Sequence, residues 1–195
     1  MGRFIMIIFF ISLVSCAIDR TIGKVSGIEN NTLINFQKLQ SKSRLYITDK
    51  NEPGEKLQLC LTYIDKESKS ILPDQLVKFY HTSTFGNYDQ TDPTDESTAR
   101  LGGQAWTNEK GQIYIETILP GDYGSANDNR HIHTTVFGAK PEAYDIHFKQ
   151  YTDYMGKNFS KGSDQHFLAD LKRTKENELV AFLNIEVKNP YQADN

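Results

Sequence analysis

From Lys56 onward the chain is cut by turn residues into short runs that are rich in β-branched and aromatic residues and too brief for helices. "LQLCLTYID" stops at "KESKS", and "QLVKFYHTS" stops at "FGNYDQTDPTDES". "GGQAWTNEKGQIYIETILPGDYG" reads as two strands about the Asn108–Gly111 turn, followed by a Pro-Gly turn. "RHIHTTVFGA" and "AYDIHFKQY" flank "KPE" as a hairpin, and "ENELVAFLNIEVKN" makes a last strand. Alternation marks half-buried strands, and Gly, Pro, Asn and Asp mark the breaks. Strands at this spacing, without long helical patterns, predict an all-β sandwich or barrel with few short helices. "GSDQHFLADLKR" is the one stretch that reads as a short helix.

Before Lys56 the reading changes. "MGRFIMIIFFISLVSC" has a basic residue, an apolar run from Phe4 to Val14, then Ser15 and Cys16. The run is too short for a mature membrane span and suits a secretory signal over residues 1–15. Leu13-Val14-Ser15-Cys16 resembles a bacterial lipobox, which implies cleavage before a lipidated Cys16. The expected product is an extracytoplasmic lipoprotein anchored to a membrane, with residues 16–55 as tether and surface arm and residues 56–195 as the domain. With Cys16 acylated, Cys60 is left without a disulfide partner and is expected to be a buried strand residue. The chain has 195 residues, enough for one domain with a proper core. A formal net charge of −3 and the lack of a Lys/Arg run argue against a nucleic-acid partner. Nothing in the sequence argues for a particular oligomeric state.

The chemistry-bearing stretch is "ILPGDYGSANDNRHIHTTVFG", residues 118–138. On a strand His131 and His133 project from one face and can reach one point. Neutral imidazole binds iron, copper and zinc alike. Zinc would usually recruit cysteine, and Cys60 stands alone. Asp122 or Asp128 could complete a two-histidine, one-carboxylate ferrous site. Phenolate is the other option, because a trivalent iron can displace the tyrosine proton. Tyr123 lies in the Pro-Gly-Asp-Tyr-Gly turn and Tyr88 in the Gly-Asn-Tyr-Asp loop. With ten tyrosines in the chain, chemistry alone does not choose among them.

The order "VKFYHTSTFGNYD", "ARLGGQAWTNEKGQIYIETILPGDYG", "RHIHTTVFG", "AYDIHF", from about Leu57 to Phe148, resembles the core of the intradiol ring-cleavage dioxygenases. These are non-haem Fe(III) enzymes that open catechols with O2 between the two hydroxylated carbons, giving a muconate-type diacid. The resemblance implies a transthyretin-like β-sandwich, a catechol-type substrate, and Tyr88, Tyr123, His131 and His133 as iron ligands. It implies Tyr123 and His131 as the axial pair, with Tyr123 giving way to substrate.

Two positions depart from the family pattern. Its Arg three residues before the first His is Asp128 here, so the candidate catalytic cation is Arg130, immediately before His131. Its Gln in the following strand is Asp145 here, a carboxylate expected to disfavour binding of a dianionic substrate unless protonated or turned away. The segment from Tyr123 to His131 is short, and the family's N-terminal helical region has no counterpart. Ligands retained within an altered surround also fit a non-catalytic lipoprotein that binds iron or a phenol, or a metal-free transthyretin-like sandwich. Trp106, Tyr114, Phe79, Tyr80 and Phe85 are expected in the core or a pocket wall. His81 and His147 are expected to be structural, and the acidic "DQTDPTDES" loop solvated.

Overall fold

A computed structural model describes residues 20–124, 128–152 and 163–190. The signal and lipidation readings at residues 1–15 and Cys16 lie outside these residues. The strands are β1 (Gly23–Lys24), β2 (Arg44–Tyr46), β3 (Lys56–Asp65), β4 (Leu76–His81), β5 (Leu101–Trp106), β6 (Gln112–Ile118), β7 (His131–Val136), β8 (Ala143–Phe148), β9 (His166–Ala169), β10 (Lys172–Arg173) and β11 (Leu179–Val187). They form a six-stranded sheet ordered β1-β10-β11-β3-β6-β2 and a five-stranded sheet ordered β5-β4-β7-β8-β9. The expected β-sandwich is therefore what the chain builds. The "KPE" hairpin is the antiparallel pair β7–β8. The Asn108–Gly111 turn carries the chain from one sheet to the other, since β5 and β6 belong to different sheets.

The alternation seen in the sequence has its cause between the sheets. Leu59, Leu61 and Tyr63 of β3, Ile113 and Ile115 of β6, Val77 and Phe79 of β4, and Ile132 of β7 all point inward and are fully buried. Removing about 25 cal/mol per Å² of apolar surface from water drives this packing. β3 is buried on both faces because a helix, α1 (Gly27–Gln37), covers its outer side. Leu33 and Phe36 of α1 pack there against Cys60, Tyr114 and Val180.

The segment read as a surface arm thus carries a docked helix and two strands. Its start was legible: Ser26 and Glu29 form a reciprocal capping box. Lys172 then pairs with Glu29, fastening the helix to β10. The helix expected in "GSDQHFLADLKR" is instead strand β9, paired parallel to β8 from Asp145↔His166 to Phe148↔Ala169. Backbone groups along the β8 edge find partners this way, and tertiary pairing overrides a weak helical pattern. Phe79 and Tyr114 are buried as expected, whereas Trp106 and Phe85 are exposed. Among the described residues no helix is long and apolar enough to cross a membrane.

Candidate metal centre

The outer face of the five-stranded sheet carries a polar row across four adjacent strands. Strand register aligns Tyr80 with His133, His133 with Asp145, and Asp145 with His166. One step along, His131 is opposite His147. Two loops meet this face from the ends of β4 and β6 and bring the tyrosines.

The first loop, residues 82–100, is built to present Tyr88. Ser83 donates its amide to the Asn87 carbonyl at 2.7 Å, and Gly86 donates to Ser83 at 3.0 Å. Gly86 sits at φ 82°, and a Cβ there would meet the Asp122 carbonyl at 2.2 Å. Only glycine admits both the conformation and the approach. The Arg100 amide holds the Tyr88 carbonyl at 3.0 Å, and the Arg100 guanidinium clasps Glu52 through two bonds of 2.8 and 2.9 Å. The second loop brings Tyr123. Its Gly121 amide donates to the Ser83 carbonyl at 2.9 Å, lacing the two loops together. Asp122 accepts the Asn129 amide at 3.0 Å, turning the chain back into β7.

The four ligands implied by the resemblance come together. Tyr88 Oη lies 2.8 Å from His133 Nε2, and His131 Nε2 lies 3.0 Å from the same atom. The Tyr123 ring is 5.4 Å from that of Tyr88 and 6.1 Å from that of His131. His131 and Tyr88 are buried, while Tyr123 is 38% exposed at the mouth. A shallow, open depression of about 500 Å³ lies beside the two tyrosines, its lining including Tyr88, Asp89, Gln90, Pro93, Glu96 and Tyr123 but neither histidine. That is within the usual size range of small-molecule sites.

Tautomers decide whether this set fits a cation. His131 Nδ1 faces the Asn129 carbonyl at 3.0 Å, which can only accept, so that nitrogen carries the proton. His133 Nδ1 faces the Asp145 carboxylate at 2.8 Å and is likewise the protonated nitrogen. Burial, which favours the neutral acid, is outweighed at Asp145 by the His133 bond and the neighbouring imidazoles, so its pKa is lowered. Burial, then the charge of His133, lowers the pKa of His131 and keeps it neutral. The Nε2 atom of neutral His131 therefore presents a lone pair toward His133 Nε2, which also lies within hydrogen-bond distance of the Tyr88 hydroxyl. Donors about 2.0–2.1 Å from one ion and at right angles to each other are about 3 Å apart. The donor set fits a metal ion. Among the described residues, His, Cys, Asp and Glu alone form no group of three that could hold one. A centre here needs the phenol oxygens.

Burial, with the surrounding acidic charges, raises the Tyr88 pKa well above the usual phenol range. Tyr123 Oη donates to Glu96 Oε1 at 2.6 Å, and that bond raises the Tyr123 pKa too. Without a metal both phenols keep their protons. Glu96 comes from the loop expected to be solvated, and no local motif signals its contact with Tyr123.

The two altered positions lie elsewhere. Arg130 Nε is 3.5 Å from Asp122, and the guanidinium stands 4.2 Å over the Tyr151 ring. Among the described residues no hydrogen bond links it to the four candidate ligands. Neighbours along an extended chain project to opposite faces, so Arg130 leaves the site as His131 enters it. Asp145 does not face the depression but binds His133 from behind. His81 is fully buried between the Thr82 carbonyl and the Thr117 hydroxyl, each at 2.7 Å. His147 stacks on His131 with centroids 5.0 Å apart.

A family model described as Dioxygenase (Dioxygenase_C) matches residues 31–194. Catechol 1,2-dioxygenase from Acinetobacter baylyi is 38% identical over 78 residues, which are 39% of this chain and 25% of that protein. The match therefore spans only a quarter of that relative's length. Among solved structures, the dioxygenase domain of a carbohydrate-binding fusion protein from Streptomyces sp. SirexAA-E superposes with TM-score 0.54 at 18% identity, over 77% of this chain and 92% of that one. An intradiol ring-cleavage dioxygenase from Tetranychus urticae gives 0.54 at 18% identity, over 76% and 88%. At these identities the structures show a shared fold. The family match over most of the chain, together with the ordered motifs of the two loops and β7, is decisive: the chain belongs to the intradiol ring-cleavage dioxygenases.

Proposed function

We propose that this chain is a non-haem Fe(III) dioxygenase that opens a catechol-type ring with O2 to a muconate-type diacid. The observation that carries the reading is the convergence of His131 Nε2 and His133 Nε2, 3.0 Å apart, with the Tyr88 hydroxyl 2.8 Å from His133 Nε2, in a chain of this family. Tyr88, Tyr123, His131 and His133 would hold the iron. When bound, Fe(III) supplies a template for the two catechol oxygens and the Lewis acidity that readies the ring for O2.

The protein's own contributions follow from its geometry. The stacked Tyr80 ring, 4.7 Å from His133, and the Asp145 carboxylate fix one imidazole. The Asn129 carbonyl fixes the other. Tyr88 is buried and anchored by its loop, so it stays in place. Tyr123 is exposed, and its hydroxyl already has a second partner in Glu96, so it is the ligand able to make room for substrate. Glu96 is placed to accept or return a proton at Tyr123 Oη.

The experiment is oxygen uptake by the Fe(III)-loaded protein with catechol. The reading expects one O2 consumed per catechol, with a ring-opened diacid as product. Iron loading with catechol bound but never consumed would leave a non-catalytic binding protein.

Location is a separate proposal, supported by the Leu13–Cys16 motif alone. The mature chain is anchored to a bacterial membrane through acylated Cys16 and works outside the cytoplasm. Mass spectrometry of the mature N-terminus tests it, and an unmodified Cys16 would reject it.

A further inference from the structure

Asp145 stands where the family pattern has a neutral amide, and its position is not that of a substrate-facing group. Nδ1 and Nε2 lie on opposite sides of an imidazole, and the carboxylate is on the Nδ1 side of His133 at 2.8 Å. Its second oxygen is 3.8 Å from His166 Nε2, so the carboxylate sits between β7 and β9. The His133 and Asp145 side chains are only 22% and 25% exposed, which limits screening by water. The two candidate imidazole ligands are therefore unequal. His131 leans on a neutral carbonyl and His133 on a carboxylate.

We infer that Asp145 is a positioning residue: it locks His133 in the Nδ1–H tautomer and, by placing a negative charge behind the ring, makes His133 Nε2 the stronger imidazole donor to the ferric ion. This rests on the Fe(III) site proposed above. A carboxylate behind a ligating histidine raises ligand basicity and orients the ring, and loss of such a partner typically costs about 10–100-fold in metal affinity or activity. The charge also changes the balance at the centre. Two tyrosinates and two neutral imidazoles leave Fe(III) with one positive charge, which Asp145 offsets without occupying a coordination position. The replacement that looked like an obstacle to an anionic substrate becomes support for the metal.

The test compares the full chain with Asp145→Asn, which keeps shape and removes charge, and Asp145→Glu, which keeps charge. Chelator competition reads Fe(III) affinity, and visible absorption reads the tyrosinate-to-iron band. Asp145→Asn is expected to lose about 10–100-fold in affinity and to move the band to longer wavelength as the iron becomes a stronger Lewis acid. Asp145→Glu is expected to recover much of both. In metal-free wild-type protein, nitrogen-15 NMR is expected to find His133 protonated on Nδ1, a readout that does not depend on a variant folding. A wild-type band with Asp145→Asn unchanged in affinity and wavelength would overturn the inference and leave the iron site standing. The opposite His133 tautomer would also overturn it. Wild-type protein that takes up Fe(III) with no tyrosinate band would remove the site and the inference together.

Discussion

His131 Nε2 and His133 Nε2 lie 3.0 Å apart, with the Asn129 carbonyl and the Asp145 carboxylate holding the Nδ1 sides of the two rings, a separation that suits two donors on one cation. Both imidazoles thus converge with the Tyr88 hydroxyl, 2.8 Å from His133 Nε2, on one point. Replacing His131 or His133 with Ala should therefore lower Fe(III) affinity by more than about 100-fold, beyond the usual cost of losing an outer partner. The metal-free His133→Ala protein should also unfold somewhat earlier than the parent, because Asp145 and Tyr88 lose their shared partner. Chelator competition and thermal unfolding check the two halves. Unchanged affinity in either variant would contradict the assignment.

Gly86 and Gly121 let the two tyrosine loops touch. A Cβ on Gly86 would stand 2.2 Å from the Asp122 carbonyl, at a φ of 82° that disfavours side chains. Gly86→Ala should push the Tyr88 loop away from the Tyr123 loop and weaken the tyrosinate band while leaving the sheets intact. Circular dichroism and visible absorption together distinguish this from unfolding.

His81 supplies a pH dependence. Burial, opposed only in part by its bond to the Thr82 carbonyl, lowers its pKa from 6.5 to about 4. The unfolded chain takes up this proton near pH 6.5 and the folded chain only near pH 4. Stability from this group is thus complete above pH 6.5 and lost as pH falls toward 4. The full shift corresponds to about 3 kcal/mol. His81→Gln should flatten the acid limb of a denaturation-versus-pH curve over that window. An unchanged limb would show that His81 is not its source.

The sandwich depends on inward residues such as Phe79, which is fully buried behind Tyr80 on β4. Phe79→Ala should cost about 3–5 kcal/mol in chemical denaturation. Trp106→Ala, at an exposed position, should cost much less.

Much of this was legible because period-two alternation and turn residues act locally. Strands β3 to β8 and β11 could be read from them, as could the shared face of His131 and His133. Tyr88 and Tyr123 could not be picked from ten tyrosines by chemistry, since their convergence depends on two loops laced through glycines far apart in sequence. They came from the resemblance. β9 was misread because its partner, the β8 edge, is fixed by tertiary pairing. α1 was missed although Ser26 and Glu29 spelled its cap. The positions of Asp145 behind His133 and of Glu96 at Tyr123 depend on registers and loop paths that no single segment encodes.

The central claim is that Tyr88, Tyr123, His131 and His133 form one ferric site that handles a catechol. The most direct measurement is the visible spectrum of the Fe(III)-loaded protein, taken alone, then with catechol without air, then with air admitted. The account predicts a tyrosinate-to-iron band that shifts with catechol and returns in air as the catechol disappears, and that weakens in Tyr88→Phe. Absence of any such band, or a band unaltered in both Tyr88→Phe and Tyr123→Phe, would contradict it.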